Sequence, residues 1–135
     1  MAHARFPVEV LTPEGEVFNG EVEMVSTRTT EGQIGILARH APLLATLEPT
    51  ELRLYETETE ILRFAQSEGY LQVGNNHALL LVEEIHREED LDAEDLRERL
   101  RIAEEEIERA GEDTERRKTA ERDKRRWEKF LSLAH

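Results

Sequence analysis

Apolar residues recur at every second position along the first part of the chain. Phe6, Val8 and Val10 show this alternation near the start, and the pairs Leu52–Leu54 and Leu62–Phe64 repeat it further on. A period of two is that of a β-strand with one buried face. Many short strands of this kind predict an antiparallel β-sandwich or barrel.

Turn-forming residues separate these short runs. Glycine and asparagine accept positive φ angles, and proline presets the φ of a turn. The predicted turns are Pro13-Glu14-Gly15, Asn19-Gly20, Glu48-Pro49-Thr50 and Gly74-Asn75-Asn76.

The period changes after Glu83, where the chain becomes rich in Glu, Arg, Ala and Leu, which favour helices. Asp92 is placed to cap a helix and Gly111 to end it with a positive φ. The apolar stripe expected on this helix is Leu96, Leu100, Ala103, Ile107 and Ala110.

A second helix is predicted to begin near Asp113 or Thr114. Because the connection from Gly111 is short, the two helices should be antiparallel neighbours. The predicted fold class is α+β, with an antiparallel β-sandwich domain at residues 1–84 and an antiparallel two-helix hairpin at residues 85–135. The expected apolar positions of the second helix are Ala120, Trp127, Leu131 and Ala134, with Asp123 near this sparse stripe.

The charge balance excludes several classes of partner. Lys and Arg total 18 against 31 Asp and Glu, a net charge of -13. Nucleic acid and anionic lipid surfaces would repel such a chain. The longest apolar run, Ala78 to Val82, is far shorter than the ~20 residues of a spanning helix, and Met1 to Phe6 lacks an apolar signal segment. Membrane association is therefore expected only through a partner, and the absence of cysteine fits the cytoplasm.

The predicted hairpin is divided by charge. Glu83 to Arg109 holds 13 acidic and 5 basic residues, whereas Arg116 to Lys129 holds 8 basic and 3 acidic residues. Two explanations remain open: the helices pair with each other across a solvated surface, or the basic helix meets an acidic partner. Trp127 either seals the hairpin or anchors it at an interface.

No motif indicates catalysis or metal binding. The five histidines are scattered without ligand spacing, and Gly32-x-x-Gly35 lacks the longer spacing and the lysine of a phosphate-binding loop. We expect no catalytic residue, no metal and no enzymatic activity.

The run from Gly32 to Leu44, Gly-Gln-Ile-Gly-Ile-Leu-Ala-Arg-His-Ala-Pro-Leu-Leu, resembles the most characteristic segment of the epsilon subunits of bacterial F-type ATP synthases. Leu11-Thr12-Pro13-Glu14-Gly15, Gly69-Tyr70-Leu71-Gln72-Val73 and Leu91-Asp92 support the resemblance, which covers essentially the whole chain. Two departures are Ala38, where the family usually has proline, and Glu68, where it has glycine.

The resemblance implies a ten-stranded sandwich docked on the gamma shaft and on the ring of c subunits, at the cytoplasmic face of the bacterial membrane. It implies a subunit that couples proton or sodium flow to ATP synthesis, and a hairpin that rises into the catalytic alpha/beta head and slows ATP hydrolysis. The implied partner-binding residues are Thr30, Glu31, Gln33, Arg39, His40 and Pro42. The residues implied for the inhibitory helix are Arg116, Arg117, Arg122, Arg125, Arg126 and Trp127.

Some members of this family bind ATP through an Ile/Leu-Asp-x-x-Arg-Ala motif. Here the corresponding segment would offer Leu91, Asp92 and Arg97, but Asp95 stands where the motif has arginine. A carboxylate beside a triphosphate is electrostatically unfavourable. We therefore expect no cofactor and at most weak ATP binding. The alternative to the whole interpretation is a free-standing β-sandwich interaction module whose helical hairpin recruits a partner.

Overall fold

The computed structural model describes residues 3–135 and contains ten strands followed by two helices. The strands are β1 (Phe6–Thr12), β2 (Gly15–Val22), β3 (Met24–Thr29), β4 (Gly32–Leu37), β5 (Leu43–Leu47), β6 (Thr50–Tyr55), β7 (Ile61–Gln66), β8 (Gly69–Gly74), β9 (His77–Val82) and β10 (Ile85–Arg87). A single 3-10 turn, Glu88–Asp90, precedes the helices α1 (Ala93–Ala110) and α2 (Thr114–Leu133). This element order confirms the predicted fold class.

The strands form two sheets that meet at one corner. One sheet has the order β10-β7-β6-β3-β4 and the other β5-β8-β9-β1-β2. The ladder pair Thr29–Leu47 joins them, with backbone hydrogen bonds from Thr30 to Thr46 and from Glu48 to Arg28 beside it. Neighbouring strands are antiparallel except β1 and β9, which are parallel. The N-terminal strand therefore lies inside its sheet rather than at an edge.

The core of the sandwich consists of inward-facing residues from both sheets. Strand β6 shows the pattern clearly, because Thr50, Leu52 and Leu54 are buried and the residues between them are half-buried. The buried hydrophobic cluster contains Phe6, Val8, Val10, Val22, Val25, Ile36, Leu47, Leu52, Leu54, Phe64, Leu71, Val73, Ala78, Leu80 and Val82. The alternation in the sequence predicted this burial.

One predicted turn is wrong. Asn19 and Gly20 lie inside β2, where they pair with Glu9 and Val8. A Cβ atom at position 20 would lie 3.2 Å from the Phe18 ring, so glycine here makes room for an aromatic neighbour. By contrast, Asn75 and Asn76 have φ angles of 49° and 58° and form the predicted tight turn between β8 and β9.

The chain divides into two compact units, one ending at Arg87 and the other beginning at Glu88. The division predicted after residue 84 falls between β9 and β10. The first unit continues to Arg87 because β10 pairs with β7, His86 lying opposite Ala65.

The second unit is a pair of capped helices. The Asp92 carboxylate accepts hydrogen bonds from the backbone N–H groups of Glu94 and Asp95, and the Asp113 carboxylate accepts one from Arg116. Gly111 follows α1 with a φ of 54°, as the sequence predicted.

The buried residues of the hairpin differ in part from the predicted stripes. On α1, Leu96, Ala103 and Ala110 are buried while Leu100 and Ile107 are half-buried. On α2, Ala120, Trp127 and Phe130 are buried, whereas Leu131 and Ala134 are half-buried. The predicted stripe omits Phe130, because it continues from Trp127 to Leu131 by a step of four. Phe130, three residues after Trp127, is the buried residue instead.

Candidate docking surfaces

The predicted partner-binding residues occupy two places on the sandwich. Thr30 and Glu31 form the turn between β3 and β4, and Gln33 follows on β4. Arg39, His40 and Pro42 lie in the connection from β4 to β5. Because β4 has 6 residues, these two groups are separated by roughly 16–20 Å along the strand. The structure thus places the predicted residues in two separate groups, at opposite ends of β4.

The β3–β4 turn is held by local hydrogen bonds. The Thr29 hydroxyl accepts from the Glu31 backbone N–H at 3.1 Å and donates to the Gly32 carbonyl at 3.2 Å. The Thr30 backbone N–H donates to the Thr46 carbonyl at 3.0 Å, which attaches the turn to β5. The side chains of Thr30 and Glu31 remain exposed on this fixed backbone.

The β4–β5 connection is fixed against the β8–β9 turn. The Arg39 backbone N–H donates to the Asn76 side-chain carbonyl at 2.7 Å, and Arg39 has a φ of 65°. The His40 Nδ1 donates to the Ala41 carbonyl at 2.7 Å. This connection therefore presents Arg39 and Pro42 as exposed side chains on an ordered loop.

A patch of apolar side chains lies on the outer face of the second sheet, and sequence reasoning missed it. Leu44 is 77% exposed, Tyr70 60% and Leu81 43%. Tyr70 pairs with Leu81, and Leu81 pairs with Leu11, so these side chains form a row across three strands. We call Leu11, Leu44, Tyr70, Leu79 and Leu81 the outer-face patch.

The signal for the outer-face patch was present in the run from Ala78 to Val82. A half-buried antiparallel strand alternates apolar and polar residues, whereas this strand is apolar on both faces. Gly69 permits the close strand contact beside the patch, since a Cβ there would lie 2.0 Å from the Leu81 carbonyl oxygen. A hollow of about 290 Å³ lies next to it, lined in part by Leu11, Pro13 and Tyr70.

The predicted inhibitory residues on α2 differ in their surroundings. Arg116 forms a bidentate hydrogen-bonded ion pair with Glu106 on α1, and Arg117 donates to the Gly111 carbonyl at 2.9 Å. Arg126 is buried, with its guanidinium carbon 5.3 Å from the Trp127 ring centroid. Arg122 and Arg125 are exposed, although Arg122 also contacts Asp123 at 3.4 Å.

Pairing between the helices accounts for part of their charge difference. Besides the Arg116–Glu106 pair, Lys124 lies 3.8 Å from Glu104. The hydrogen bond from Arg116 lowers the pKa of the Glu106 carboxyl. A groove of about 550 Å³ runs between the helices, and Trp127 and Asp123 are among its lining residues. Helix α2 therefore has both basic side chains that pair with α1 and basic side chains that are exposed.

The predicted nucleotide residues are not assembled into a cationic site. The Asp92 carboxylate is engaged as the cap of α1, and Arg97 is exposed on the helix while Leu91 is half-buried. Asp95 accepts a hydrogen bond from the Arg99 Nε at 2.9 Å, so Arg99 already has a carboxylate partner. No cluster of three or more metal-ligating side chains occurs within residues 3–135. Neither helix of this part of the chain is apolar enough to cross a bilayer.

Comparison with known proteins identifies the family. The profile of the ATP synthase delta/epsilon chain beta-sandwich domain matches residues 5–88. The chain belongs to this ATP synthase delta/epsilon family, which confirms the resemblance and the prediction of a non-catalytic subunit.

Relatives support the same assignment. The ATP synthase epsilon chain of Halalkalibacterium halodurans is 37% identical over 127 residues, which cover 94% of this chain and 95% of that one. The epsilon chain of Persephonella marina is 40% identical over 89 residues, 66% of this chain and 65% of that one. A chain of the mitochondrial ATP synthase of Euglena gracilis has the same fold, with a TM-score of 0.80 at 21% identity, covering 98% of this chain and 82% of that one.

Proposed function

We propose that this chain is the epsilon-type subunit of the central stalk of a bacterial rotary ATP synthase. The sandwich docks on the gamma shaft and the c-ring and couples proton or sodium flow to ATP synthesis. The subunit lies at the cytoplasmic face of the membrane and is attached there through the complex alone. The alternative, a free-standing interaction module, is disfavoured by a family match that covers the sandwich.

The outer-face patch is the observation that supports docking best. Large apolar side chains clustered on one sheet face mark a protein interaction site, because monomeric proteins expose few such clusters. Tyr70 is a residue type enriched among binding hot spots. The patch lies on ordered strands, so it presents a fixed surface to a rigid partner.

Docking is tested by replacing Tyr70 and Leu81 with threonine, which favours strands but removes most of the apolar surface. The double variant should bind gamma with a loss of about 2 kcal/mol or more, roughly 30-fold in Kd. Val17→Thr is the matched control, since Val17 is 42% exposed on β2. Unchanged affinity in a titration against gamma would remove the patch from the docking surface.

The hairpin is proposed to slow ATP hydrolysis by presenting the basic side of α2 to acidic residues of the catalytic head. Arg122 and Arg125 are best placed for this role because they are exposed, whereas Arg116, Arg117 and Arg126 also stabilise the hairpin itself. Charge-assisted contacts gain strength when they are removed from water. The proposed brake therefore depends on charge.

The brake is tested with Arg122→Glu and Arg125→Glu together in the reconstituted complex. The ATPase rate should rise toward that of a complex whose epsilon subunit ends at Arg87, and added salt should raise the rate of the unmodified complex in part. Arg97→Glu is the control, because it reverses the charge of an exposed arginine on α1 rather than on α2. If hydrolysis stays slow after the charge reversal but becomes faster when the hairpin is deleted, the brake is steric.

A further inference from the structure

The outer face of the first sheet carries a row of apolar side chains across four strands. Met24 on β3 pairs with Leu37 on β4 and with Tyr55 on β6, and Tyr55 pairs with Ile61 on β7. Val25, the next residue on β3, is fully buried, so the row points away from the core. Leu37 is 40% exposed, although the solvated face of an antiparallel sheet is ordinarily polar. We call Met24, Leu37, Tyr55 and Ile61 the first-sheet row.

Arginines flank the first-sheet row on one side. Arg53 and Arg63 lie directly opposite each other, each two residues along its strand from Tyr55 or Ile61. Their side chains are 42% and 43% exposed. Glu51 lies 2.5 Å from the Arg53 Nε and 3.5 Å from the nearest Arg63 nitrogen. Because one carboxylate serves two guanidinium groups, this flank keeps a positive charge.

Glutamates flank the first-sheet row on the other side. The connection from β6 to β7 has the sequence Glu56-Thr57-Glu58-Thr59-Glu60. Its ends are tied together, since the Glu56 backbone N–H donates to the Glu60 carbonyl at 2.9 Å. The Glu60 side chain is exposed. Tyr55 and Ile61 adjoin this connection directly, so the row separates a negative flank from a positive one.

We propose that this face is the interface of a homodimer, in which the first-sheet rows of two copies pack on each other. A two-fold axis that runs along the row, in the plane of the interface, places Tyr55 against Tyr55 of the second copy. The same rotation brings the arginine flank of each copy onto the glutamate flank of the other. Arg53 then meets Glu60 at two equivalent places. The face shares no residue with the outer-face patch, and the dimer goes beyond the proposed function.

The charge pattern favours a second copy over an unrelated partner. A two-fold interface uses the same surface on both sides, so its positive and negative parts must match each other. The two flanks meet this condition because they have opposite sign and lie on either side of one apolar row. Each chain has a net charge of -13, but repulsion beyond about 8 Å is screened at physiological ionic strength. Contacts across the interface are shorter than this distance and persist.

The size of the face makes the dimer weak and reversible. The strands β3, β4, β6 and β7 have 6 residues each. Such strands are about 20 Å long, and four of them side by side are about 19 Å wide. Interfaces of this area belong to the small, transient class. We therefore expect a Kd of about 100 µM for the dimer.

The test is a charge exchange between the two flanks. Sedimentation equilibrium follows the isolated full-length chain at an ionic strength of about 0.15 M. Arg53→Glu sets carboxylates against each other, and Glu60→Arg sets guanidinium groups against each other. Each variant alone should therefore dimerise at least about tenfold more weakly than the unmodified chain. A mixture of the two variants restores both contacts and should form a heterodimer with about the original Kd.

Further variants serve as controls. Arg53→Glu and Glu60→Arg in one chain restore opposite charges within a homodimer, which should regain about the original Kd. Arg97→Glu makes the same charge change on α1, outside the face, and should alter the Kd by about twofold at most. Tyr55→Thr removes the ring at the centre of the row and should weaken the dimer about tenfold. Urea unfolding of each variant shows that it is folded.

Several outcomes would overturn the proposal. The chain could stay monomeric up to about 1 mM, ten times the expected Kd. A mixture of the charge variants no more dimeric than either alone would remove the contact between the flanks. If threonine at positions 70 and 81 abolishes the dimer while Tyr55→Thr does not, the interface is the outer-face patch instead. Because gamma is absent from every measurement, none of these results depends on the proposed stalk function.

Discussion

The guanidinium carbon of Arg99 on α1 lies 5.0 Å from the ring centroid of Trp127 on α2. The Asp95 carboxylate orients the same guanidinium by accepting a hydrogen bond from its Nε. Asp95, Arg99 and Trp127 thus form a chain of contacts that joins the two helices. This contact stabilises the hairpin along a stripe that is otherwise poor in large apolar side chains.

Arg99→Gln should therefore weaken the hairpin. Loss of the contact with Trp127 should lower its free energy of unfolding by ~0.5–1 kcal/mol. Trp127 is the only tryptophan of the chain, so its fluorescence during urea unfolding follows the hairpin specifically. Arg97→Gln, an exposed change on the same helix, should leave the transition unmoved. Equal shifts for both variants would assign the effect to helix charge instead.

The Arg116–Glu106 pair should make hairpin stability depend on pH. Arg116 lowers the pKa of Glu106 below the ordinary value of 4.5. The stabilisation is present in full above that ordinary value and is lost as the pH falls through the lower folded-state value. Glu106→Gln should make the free energy of unfolding of the hairpin less dependent on pH in this acidic range. Unfolding followed by Trp127 fluorescence between pH 7 and about pH 3 measures this dependence. Glu108→Gln is the matched control, and an equal flattening there would refute the assignment.

The two ends of β4 should contribute independently to docking. Arg39→Asn with His40→Ala removes side chains at one end, and asparagine tolerates the positive φ of position 39. Thr30→Ala with Glu31→Ala removes those at the other end. Because sites this far apart seldom interact, the losses should add to within about 0.5 kcal/mol in the combined variant. Titrations against gamma and against isolated c-rings measure each loss, and a strongly non-additive result would indicate one shared contact.

The sandwich should fold without the hairpin. A fragment ending at Arg87 retains all ten strands and the buried cluster, so it should unfold cooperatively in urea. A fragment ending at Glu84 lacks β10 and should be less stable, because the edge of β7 then loses its partner. A fragment ending at Arg87 that shows no cooperative transition would contradict the two-domain organisation.

ATP should bind the isolated subunit weakly or not at all. Asp92 is engaged as a helix cap and Asp95 places a carboxylate beside Arg99. Asp95→Arg should raise the affinity, because it exchanges a repulsive charge for an attractive one. Calorimetric titration measures both proteins, and a low micromolar Kd for the unmodified chain would contradict the expectation.

Local patterns predicted most of the fold. Alternation placed the strands and their buried faces, and Asp92 and Gly111 marked the ends of α1 because caps are determined by nearby residues. Asn19 and Gly20 failed as a turn because their conformation depends on pairing with β1 and on the Phe18 ring, which are contacts outside the dipeptide.

The candidate surfaces were harder to predict for the same reason. The outer-face patch combines residues from four strands, and their adjacency follows from a register that the sequence does not reveal. Likewise, Thr30 and Arg39 are close in sequence but lie at opposite ends of β4. Residues this far apart in sequence lie close together only where the chain turns back between them.

The last strand of the sandwich, β10, is a ladder of three residue pairs at the edge of its sheet. Such a short edge strand is among the first parts of a sheet to open. If Ile85–Arg87 separates from β7, the connecting segment lengthens by about 10 Å without disturbing the core. The link between the two units is then longer by that amount, and Ile85 opposite Gln66 is the last pair that opening from the Arg87 end would break.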